Sequence, residues 1–242
     1  MEILDLADRL RGELRGLTFS APAAYLYSPL DYAWEPHRRY LEQWGRWQPQ
    51  ALLVGMNPGP FGMGQTGVPF GAVAPVRDWL RCEAPVLAPP RQHPKRPIEG
   101  FACRRNEVSG ERLWGWARAA YGEPDAFFRV FFVYNYCPLL FLSESGANVV
   151  PEKLKAAELA RVLPPCDRAL RDTARALGVR QVIGVGGWAE ARARQALAGL
   201  NLEIGRILHP SPASPAANQD WAAQATAQLR AAGIAVPQPS PK

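Results

Sequence analysis

Four apolar segments of strand length recur along the chain, and stretches with helical periodicity lie between them. The predicted strands cover residues 51–55, 127–134, 181–185 and 204–208. The predicted helices cover about 2–16, 36–48, 110–121, 166–177, 188–199 and 215–232. Continuous apolar strands that alternate with helices are typical of a parallel sheet buried on both faces. The sequence therefore predicts an α/β fold with a mainly parallel sheet covered by helices.

A loop rich in glycine and proline follows the first predicted strand and extends to residue 71. From Gly55 it reads Gly-Met-Asn-Pro-Gly-Pro-Phe-Gly-Met-Gly-Gln-Thr-Gly-Val-Pro-Phe-Gly. Glycine lets a backbone approach a ligand closely, and open α/β sheets bind their ligands at the carboxyl ends of the strands. We interpret this segment as a binding or catalytic loop, because a plain connection would need fewer glycines and apolar residues.

Polar side chains or bare backbone follow each of the four predicted strands. In chain order these groups are Asn57, Asn135, the pair Gly186-Gly187 and His209. Parallel strands end side by side, so the four exits should meet at one edge of the sheet. The sequence thus predicts one site that contains two amides and an imidazole.

The side chains at this edge suggest specific chemistry, although each also has a structural interpretation. Asn57 can hold a water molecule because an amide both donates and accepts hydrogen bonds, or it can be a turn residue before proline. Asn135 can pair with the O4 and N3–H edge of a uracil ring, or its amide can be structural. Phe70 is a candidate platform for base stacking, or a core residue.

His209 enters a loop at 210–218 that contains three alternating prolines. A lone histidine is more often structural than catalytic. The prolines stiffen the loop and prepare a helix that begins near Pro215. A rigid segment of small residues beside a histidine would suit insertion into a stacked duplex.

The net charge of +6 and the pI of about 9.4 favour a polyanionic partner. Of the 28 basic residues only four are lysines, at 95, 153, 155 and 242. Arginine suits phosphate contacts, but a GC-rich genome would also supply many arginines. The segment His93-Pro94-Lys95-Arg96-Pro97 is a small basic patch that is either a phosphate contact or a solvated turn.

Several function classes lose their usual sequence support. The cysteines at 82, 103, 137 and 166 form no C-x-x-C pair, which predicts reduced thiols of a cytoplasmic protein and disfavours an iron–sulfur or zinc site. The segment Gly184-Val185-Gly186-Gly187 lacks the rest of a dinucleotide fingerprint and predicts a tight turn. No phosphate-loop or esterase-elbow motif occurs. We expect no metal, no cofactor and no membrane-spanning segment.

The sequence shows no repeat or low-complexity tract. We predict a single domain over 1–236 and a loose tail over 237–242. Residues 75–108 are rich in proline and charge. We expect them to form an ordered excursion of the chain between the first predicted strand and the next helix. A monomer is the default expectation.

Four motifs together resemble the single-strand-selective monofunctional uracil-DNA glycosylases, which belong to the uracil-DNA glycosylase superfamily. The motifs are the segment 55–63, the segment 65–71, Asn135-Tyr136-Cys137-Pro138-Leu139 and His209-Pro210-Ser211-Pro212. The likeness runs from about residue 25 to 222. It implies a three-layer α/β/α sandwich around a parallel four-stranded sheet, no cofactor, and excision of uracil and relatives such as 5-hydroxymethyluracil from single- and double-stranded DNA. For a bacterial member, the place of action would be the cytoplasm, at the nucleoid.

The resemblance also implies roles for individual residues. Asn57 is similar to the residue that holds the hydrolytic water, and His209 to the group that stabilises charge on O2 of the departing uracil. The implied base-binding residues are Met56, Gly59, Phe70 and Asn135. The implied DNA-binding residues are Pro210, Ser211, Pro212, Ala213 and Ser214 of the wedge loop, with Lys95 and Arg96 of the basic patch.

Two positions depart from the pattern of vertebrate members. Ala213 and Ser214 stand where those proteins have arginine and asparagine, which predicts weaker penetration of a duplex. Tyr134 stands where they have histidine.

Two other functions remain open from the residues alone: a non-catalytic single-strand nucleic-acid binder, and a hydrolase of free nucleosides or nucleotides.

Overall fold

The computed structural model describes residues 2–237 and contains seven strands and nine α-helices within them. The strands are β1 (Tyr25–Tyr27), β2 (Ala51–Gly55), β3 (Phe131–Asn135), β4 (Leu140–Leu142), β5 (Asn148–Val149), β6 (Gln181–Val185) and β7 (Glu203–Ile207). The helices are α1 (Ile3–Leu14), α2 (Pro29–Tyr32), α3 (Trp34–Trp44), α4 (Met63–Thr66), α5 (Val108–Tyr121), α6 (Pro124–Phe128), α7 (Ala156–Leu177), α8 (Gly187–Ala196) and α9 (Trp221–Ala231). Residues 238–242, most of the predicted tail, lie outside the described part of the chain.

The main sheet has four parallel strands in the order β3-β2-β6-β7, which confirms the predicted fold class. Every residue of β2 and β6 is buried, as expected for the central strands of a sheet covered on both faces. Helices α1, α7 and α8 pack together in one group, and α5 packs against α9 in another. The second group is joined by an edge-to-face contact between Trp116 and Trp221. The sheet therefore lies among helices, as the alternating pattern predicts.

The predicted strand at 127–134 was wrong at its beginning. Phe127 and Phe128 belong to α6, and the strand begins only at Phe131. The mainly apolar segment 127–134 has no period that separates helix from strand, whereas Pro124 in the first turn favours a helix. Phe128 stacks on Trp44 with ring centroids 4.8 Å apart, so this helix buries its aromatic side chains in the core.

The predicted helix at 215–232 is interrupted. A 3-10 turn covers Pro215–Asn218, and α9 begins at Trp221. Asp220 causes the break because it has a positive φ of 54° and its carboxylate accepts a hydrogen bond from the N–H of Ala223, a helix N-cap. The turn predicted at 184–187 is confirmed, since β6 ends at Val185 and α8 begins two residues later.

A second sheet, which the sequence analysis missed, is antiparallel and has the order β1-β4-β5. Its strands have only two or three residues, too few to show alternation. The Tyr27 hydroxyl accepts a hydrogen bond from the N–H of His93 and donates one to the carbonyl of Arg96. These bonds hold the excursion at 75–108 against the small sheet. The excursion is ordered and mostly irregular, as predicted.

Gln65 joins the glycine-rich loop to the excursion. Its amide nitrogen donates to the carbonyls of Pro60 (2.9 Å) and Pro97 (3.0 Å). Its oxygen accepts from the N–H groups of Glu99 (2.8 Å) and Gly100 (3.1 Å). A buried side-chain amide can rarely use all its capacity, and here it does. The loop is therefore fixed by bonds to a segment about 35 residues away in sequence.

All four cysteines are buried free thiols. Within residues 2–237, no group of His, Cys, Asp and Glu side chains has the arrangement of a metal site. None of the helices in that range is both long enough and apolar enough to cross a membrane.

Acid should destabilise this fold through His37. The His37 ring is buried in α3, where Nδ1 donates a hydrogen bond to the carbonyl of Gly67, and burial lowers the pKa of His37 to about 4. An unfolded histidine has a pKa near 6.5, so between pH ~6.5 and ~4 the unfolded chain binds a proton that the folded protein does not. This contribution to stability is fully present above pH ~6.5 and falls by roughly 3 kcal/mol as the pH drops to ~4.

Urea unfolding at several pH values, for wild type and a His37→Gln variant, would measure this effect. The free energy of unfolding should fall more steeply with acid in the wild type than in the variant. Equal slopes for the two proteins would contradict the assignment.

Candidate active site

A pocket of about 390 Å³ lies at the carboxyl ends of the main sheet. It is lined by Met56, Asn57, Gly59, Pro60, Gly62, Met63, Phe70, Glu107, Ser109, Asn135, Asn148, Val150, His209 and Ser211. The two amides and the imidazole of the predicted convergence therefore share one cavity with the ring of Phe70, whereas Gly186-Gly187 does not line it.

The two amides lie close together because β2 and β3 pair in register to their ends. Gly55 is the register partner of Asn135, the last residue of β3. The pairing continues past the strands, since the N–H of Tyr136 donates to the carbonyl of Gly55 and the N–H of Cys137 donates to that of Met56. Asn57, the next residue, thus leaves the sheet beside the Asn135 exit.

The Asn135 side chain is nearly buried, and its carbonyl oxygen Oδ1 accepts no hydrogen bond within the described residues. Its Nδ2 donates to the Met63 sulfur at 3.2 Å. An unsatisfied buried acceptor costs on the order of 1–3 kcal/mol. Because Asn135 lines the pocket, a ligand that carries an N–H group can satisfy this oxygen.

Gly55 makes room for both Asn135 and Phe70. A Cβ atom at position 55 would overlap Oδ1 of Asn135 and lie 2.5 Å from Cε2 of the Phe70 ring. A larger residue at the end of β2 would therefore displace the amide and the aromatic ring together. The glycine is required here for close approach, since its own φ is not in the left-handed region.

Phe70 is held in a strained conformation with its ring in the pocket. Its φ is +53°, a left-handed value that costs a residue other than glycine about 1–2 kcal/mol. The Thr66 hydroxyl donates to the carbonyl of Gly71 at 2.8 Å, and the N–H of Ala72 donates to the carbonyl of Phe70. Such strain persists where neighbouring contacts fix the backbone, and it is common at ligand sites.

The hydrogen bonds of His209 define its tautomer. The N–H of Ser211 donates to Nδ1 of His209 at 3.0 Å, so Nδ1 must be unprotonated and the neutral ring carries its proton on Nε2. Burial lowers the pKa of His209, which favours the neutral ring at neutral pH. The ring centroid lies 6.2 Å from that of Phe70. His209 therefore presents a hydrogen-bond donor rather than a fixed positive charge.

Arg112 of α5 supports the loop at 210–218. Its guanidinium donates to the carbonyl of Pro210 and to Oδ1 of Asn218, each at 2.9 Å. The Asn218 amide in turn donates to the carbonyl of Pro212 at 3.0 Å. The loop is thus tied at both ends and near its tip, where Ala213 is exposed.

The predicted DNA-binding residues lie outside the pocket, except Ser211. Pro210, Pro212, Ala213 and Ser214 belong to the loop beside His209. In the basic patch, Lys95 is exposed and the Arg96 guanidinium lies 5.3 Å from the ring of Phe61. His93 is buried and contacts the carbonyl of Glu144, so this part of the patch is structural.

Glu107 and Ser109, near the amino terminus of α5, line the pocket and were not predicted from the sequence. Asn148 and Val150 line it from the region of β5. An acidic residue before a helix is typical of an ordinary cap, so the sequence contained no signal for Glu107. Arg112 was missed for a different reason, because its hydrogen-bond partners are about 100 residues away in sequence.

The arrangement can bind a flat polar ring and assist its departure. It offers an amide with a free acceptor, an aromatic face, a neutral imidazole donor and a second amide that can hold water. In the part of the chain that the structure describes, no lysine lines the pocket.

Known proteins resemble the chain closely, although no family model matches it. It is 51% identical over 228 residues to the single-strand selective monofunctional uracil DNA glycosylase of Mus musculus, a match that covers 93% of this chain and 82% of the mouse protein. The proteins of that name from Rattus norvegicus and Bos taurus are also 51% identical over 228 residues, with 93% of this chain and 82% and 84% of their lengths covered.

The crystal structure of wild-type SMUG2 from Pedobacter heparinus has a similar fold. The TM-score is 0.62 at 18% sequence identity, and the match covers 95% of this chain and 99% of that one. At this identity the likeness concerns the fold alone.

Arg112→Gln should loosen the loop at 210–218 without unfolding the protein. Loss of the two guanidinium hydrogen bonds should raise hydrogen exchange of the Ser214 amide by about tenfold, since each such bond contributes about 1 kcal/mol or more. Arg118→Gln, on an exposed part of the same helix, is the matched control. Unchanged protection of the loop in the Arg112 variant would show that this side chain does not support it.

Proposed function

The chain belongs to the single-strand selective monofunctional uracil-DNA glycosylase family, and we propose that it uses the pocket at the end of β2 and β3 to excise uracil from DNA. The reaction is hydrolysis of the N-glycosidic bond, which leaves an abasic site. One observation carries the assignment of the site: Asn57, Asn135, Phe70 and His209 come from distant parts of the chain and line one cavity.

Asn135 recognises the uracil edge. Uracil presents an acceptor, O4, beside a donor, N3–H, and a side-chain amide presents the complementary pair. The unsatisfied Oδ1 of Asn135 supports this role because it needs an N–H donor. The Nδ2 group, now on the Met63 sulfur, is available for O4 because sulfur is a weak acceptor.

Phe70 supports the flipped base by stacking. Base–aromatic stacking contributes about 1–3 kcal/mol. The strained backbone of Phe70 and the bare Gly55 beneath the ring fix its position before the base arrives. Met56 and Gly59 complete the wall of the pocket.

His209 stabilises the leaving group. As the bond between C1′ and N1 breaks, negative charge develops on the uracil ring and its O2. A neutral imidazole with its proton on Nε2 donates a hydrogen bond to O2, and the Ser211 N–H keeps that tautomer in place. Because the donor is already oriented, no reorganisation is required when the charge appears.

Asn57 positions the water. An amide cannot remove a proton as a carboxylate can, so the reaction must proceed mainly by bond breaking, with an oxocarbenium-like sugar that water attacks afterwards. The water oxygen bonds to C1′, and the proton it loses passes to solvent or to the departed base. Without a lysine in the pocket, no Schiff base forms, and the DNA strand stays intact.

The loop at 210–218 acts as the wedge during base flipping. Its exposed tip contains Pro212 and Ala213, and Arg112 holds it rigid. We propose activity on single- and double-stranded DNA, with the small residues at 213 and 214 limiting entry into a duplex. Lys95 and Arg96 bind phosphates along the strand. The enzyme acts as a monomer in the cytoplasm.

The accepted bases extend to 5-hydroxymethyluracil. The wall of the pocket at Gly59 is bare backbone with the carboxyl group of Glu107 packed beside it, so a polar substituent on the ring would meet a hydrogen-bonding group there. The cavity of about 390 Å³ is large enough for the base with such a group.

A gel assay on a 5′-labelled oligonucleotide with one uracil tests the function. Wild-type protein should produce strand breaks only after alkali, and Asn57→Ala and His209→Ala should each slow excision by about 100-fold or more. Asn201→Ala is the control and should keep full activity, because Asn201 is exposed, precedes β7 and does not line the pocket. If the wild type binds the strand but leaves uracil intact, or cleaves without alkali, the proposal fails.

A further inference from the structure

Glu107 places a carboxyl group in the wall of the pocket, and no step of the proposed mechanism uses it. Although Glu107 precedes α5 at the cap position, its side chain does not cap that helix. It extends instead over the glycine-rich loop. A Cβ atom at Gly59 would overlap Oε2 of Glu107, and one at Gly62 would lie 2.8 Å from its Cγ.

The position is costly for an acid. None of the ion pairs in residues 2–237 includes Glu107. Burial raises the pKa of Glu107, and hydrogen bonding from the Phe61 backbone offsets only part of this. Packing alone would favour an apolar or amide side chain at this position. A partly buried acid without a cation, at the edge of a binding cavity, is typical of a functional group.

The neighbours of Glu107 indicate which edge of the base it faces. Asn135 ends β3 and His209 follows β7, and these are the two outer strands of the main sheet, so the two side chains approach a bound base from different sides. The Met63 sulfur contacts the Asn135 amide, and Met63 directly follows Gly62, against which Glu107 packs. Glu107 therefore lies on the Asn135 side of the cavity.

The order of atoms around the pyrimidine ring then indicates which atom faces this wall. If Asn135 forms hydrogen bonds with N3–H and O4, and His209 forms one with O2, the remaining edge of the ring is C5–C6. C5 is adjacent to C4 and its oxygen, on the Asn135 side. A substituent on C5 consequently points toward the wall formed by Gly59, Gly62 and Glu107.

We propose that Glu107 is a specificity-determining residue whose carboxylate accepts a hydrogen bond from a hydroxyl-bearing substituent on C5 of the flipped base. This inference rests on the proposed function and the base orientation given there. The absence of a side chain at Gly59 allows the carboxyl group of Glu107 to lie against the loop in the wall of the pocket, within reach of the substituent. A hydroxymethyl group donates a hydrogen bond to a carboxylate, whereas a formyl group offers only an acceptor and is repelled.

The test compares kcat/KM on single-stranded oligonucleotides that contain uracil, 5-hydroxymethyluracil or 5-formyluracil. The variants are Glu107→Leu and Glu107→Gln, with Glu111→Gln as control. Glu111 lies one turn further along α5, burial also raises its pKa, and it does not line the pocket. Each substrate is expressed relative to uracil for the same protein, so the ratio is independent of how much of a variant is folded.

Glu107→Leu should lower the ratio of 5-hydroxymethyluracil to uracil by about tenfold, as expected for a hydrogen bond to a charged group. Glu107→Gln should keep most of that ratio and raise the ratio of 5-formyluracil to uracil by about fivefold, because its amide can donate to the formyl oxygen. Glu111→Gln should change neither ratio. Equal losses on all three substrates would assign Glu107 a structural role and overturn the proposal. Absence of uracil excision by the wild type would instead overturn the proposed function.

Discussion

The parallel ladder between β2 and β3 is the feature on which the rest of the site depends. Its last register pair is Gly55 with Asn135, and backbone hydrogen bonds from Tyr136 and Cys137 extend it beyond both strands. A shift of one residue would turn every side chain of a strand to the opposite face. The two segments that carry the amides are therefore held side by side by main-chain bonds. The relative positions of the two amide side chains at this edge are therefore set by the backbone.

The second requirement is that the loop between β2 and α5 be rigid. Gln65 satisfies four backbone groups across two segments, and Phe70 is held at a positive φ by the surrounding bonds. Arg112 supports the facing loop, and Ser211 fixes the ring of His209. These contacts exist before a base enters, so binding has to order few groups of the pocket. A site that stabilises developing charge needs such preorganisation.

The sequence predicted the parts of this structure that depend on local pattern. The buried strands, the turn at Gly186 and the meeting of strand exits follow from apolar runs and from the geometry of parallel sheets. The short antiparallel sheet and the division between α6 and β3 depend on packing between distant segments, which local pattern does not record. Glu107 and Arg112 were missed for a related reason: their roles arise from neighbours far away in sequence.

A crystal structure of the Asn57→Ala variant with uracil and an abasic oligonucleotide would show whether the pocket holds the base in the proposed orientation. Uracil should stack on Phe70, with Oδ1 of Asn135 accepting from N3–H and Nε2 of His209 donating to O2. The Ser211 N–H should still donate to Nδ1 of His209. Uracil bound in another cavity, or in this one with its N3–H edge turned away from Asn135, would contradict the assignment of these residues.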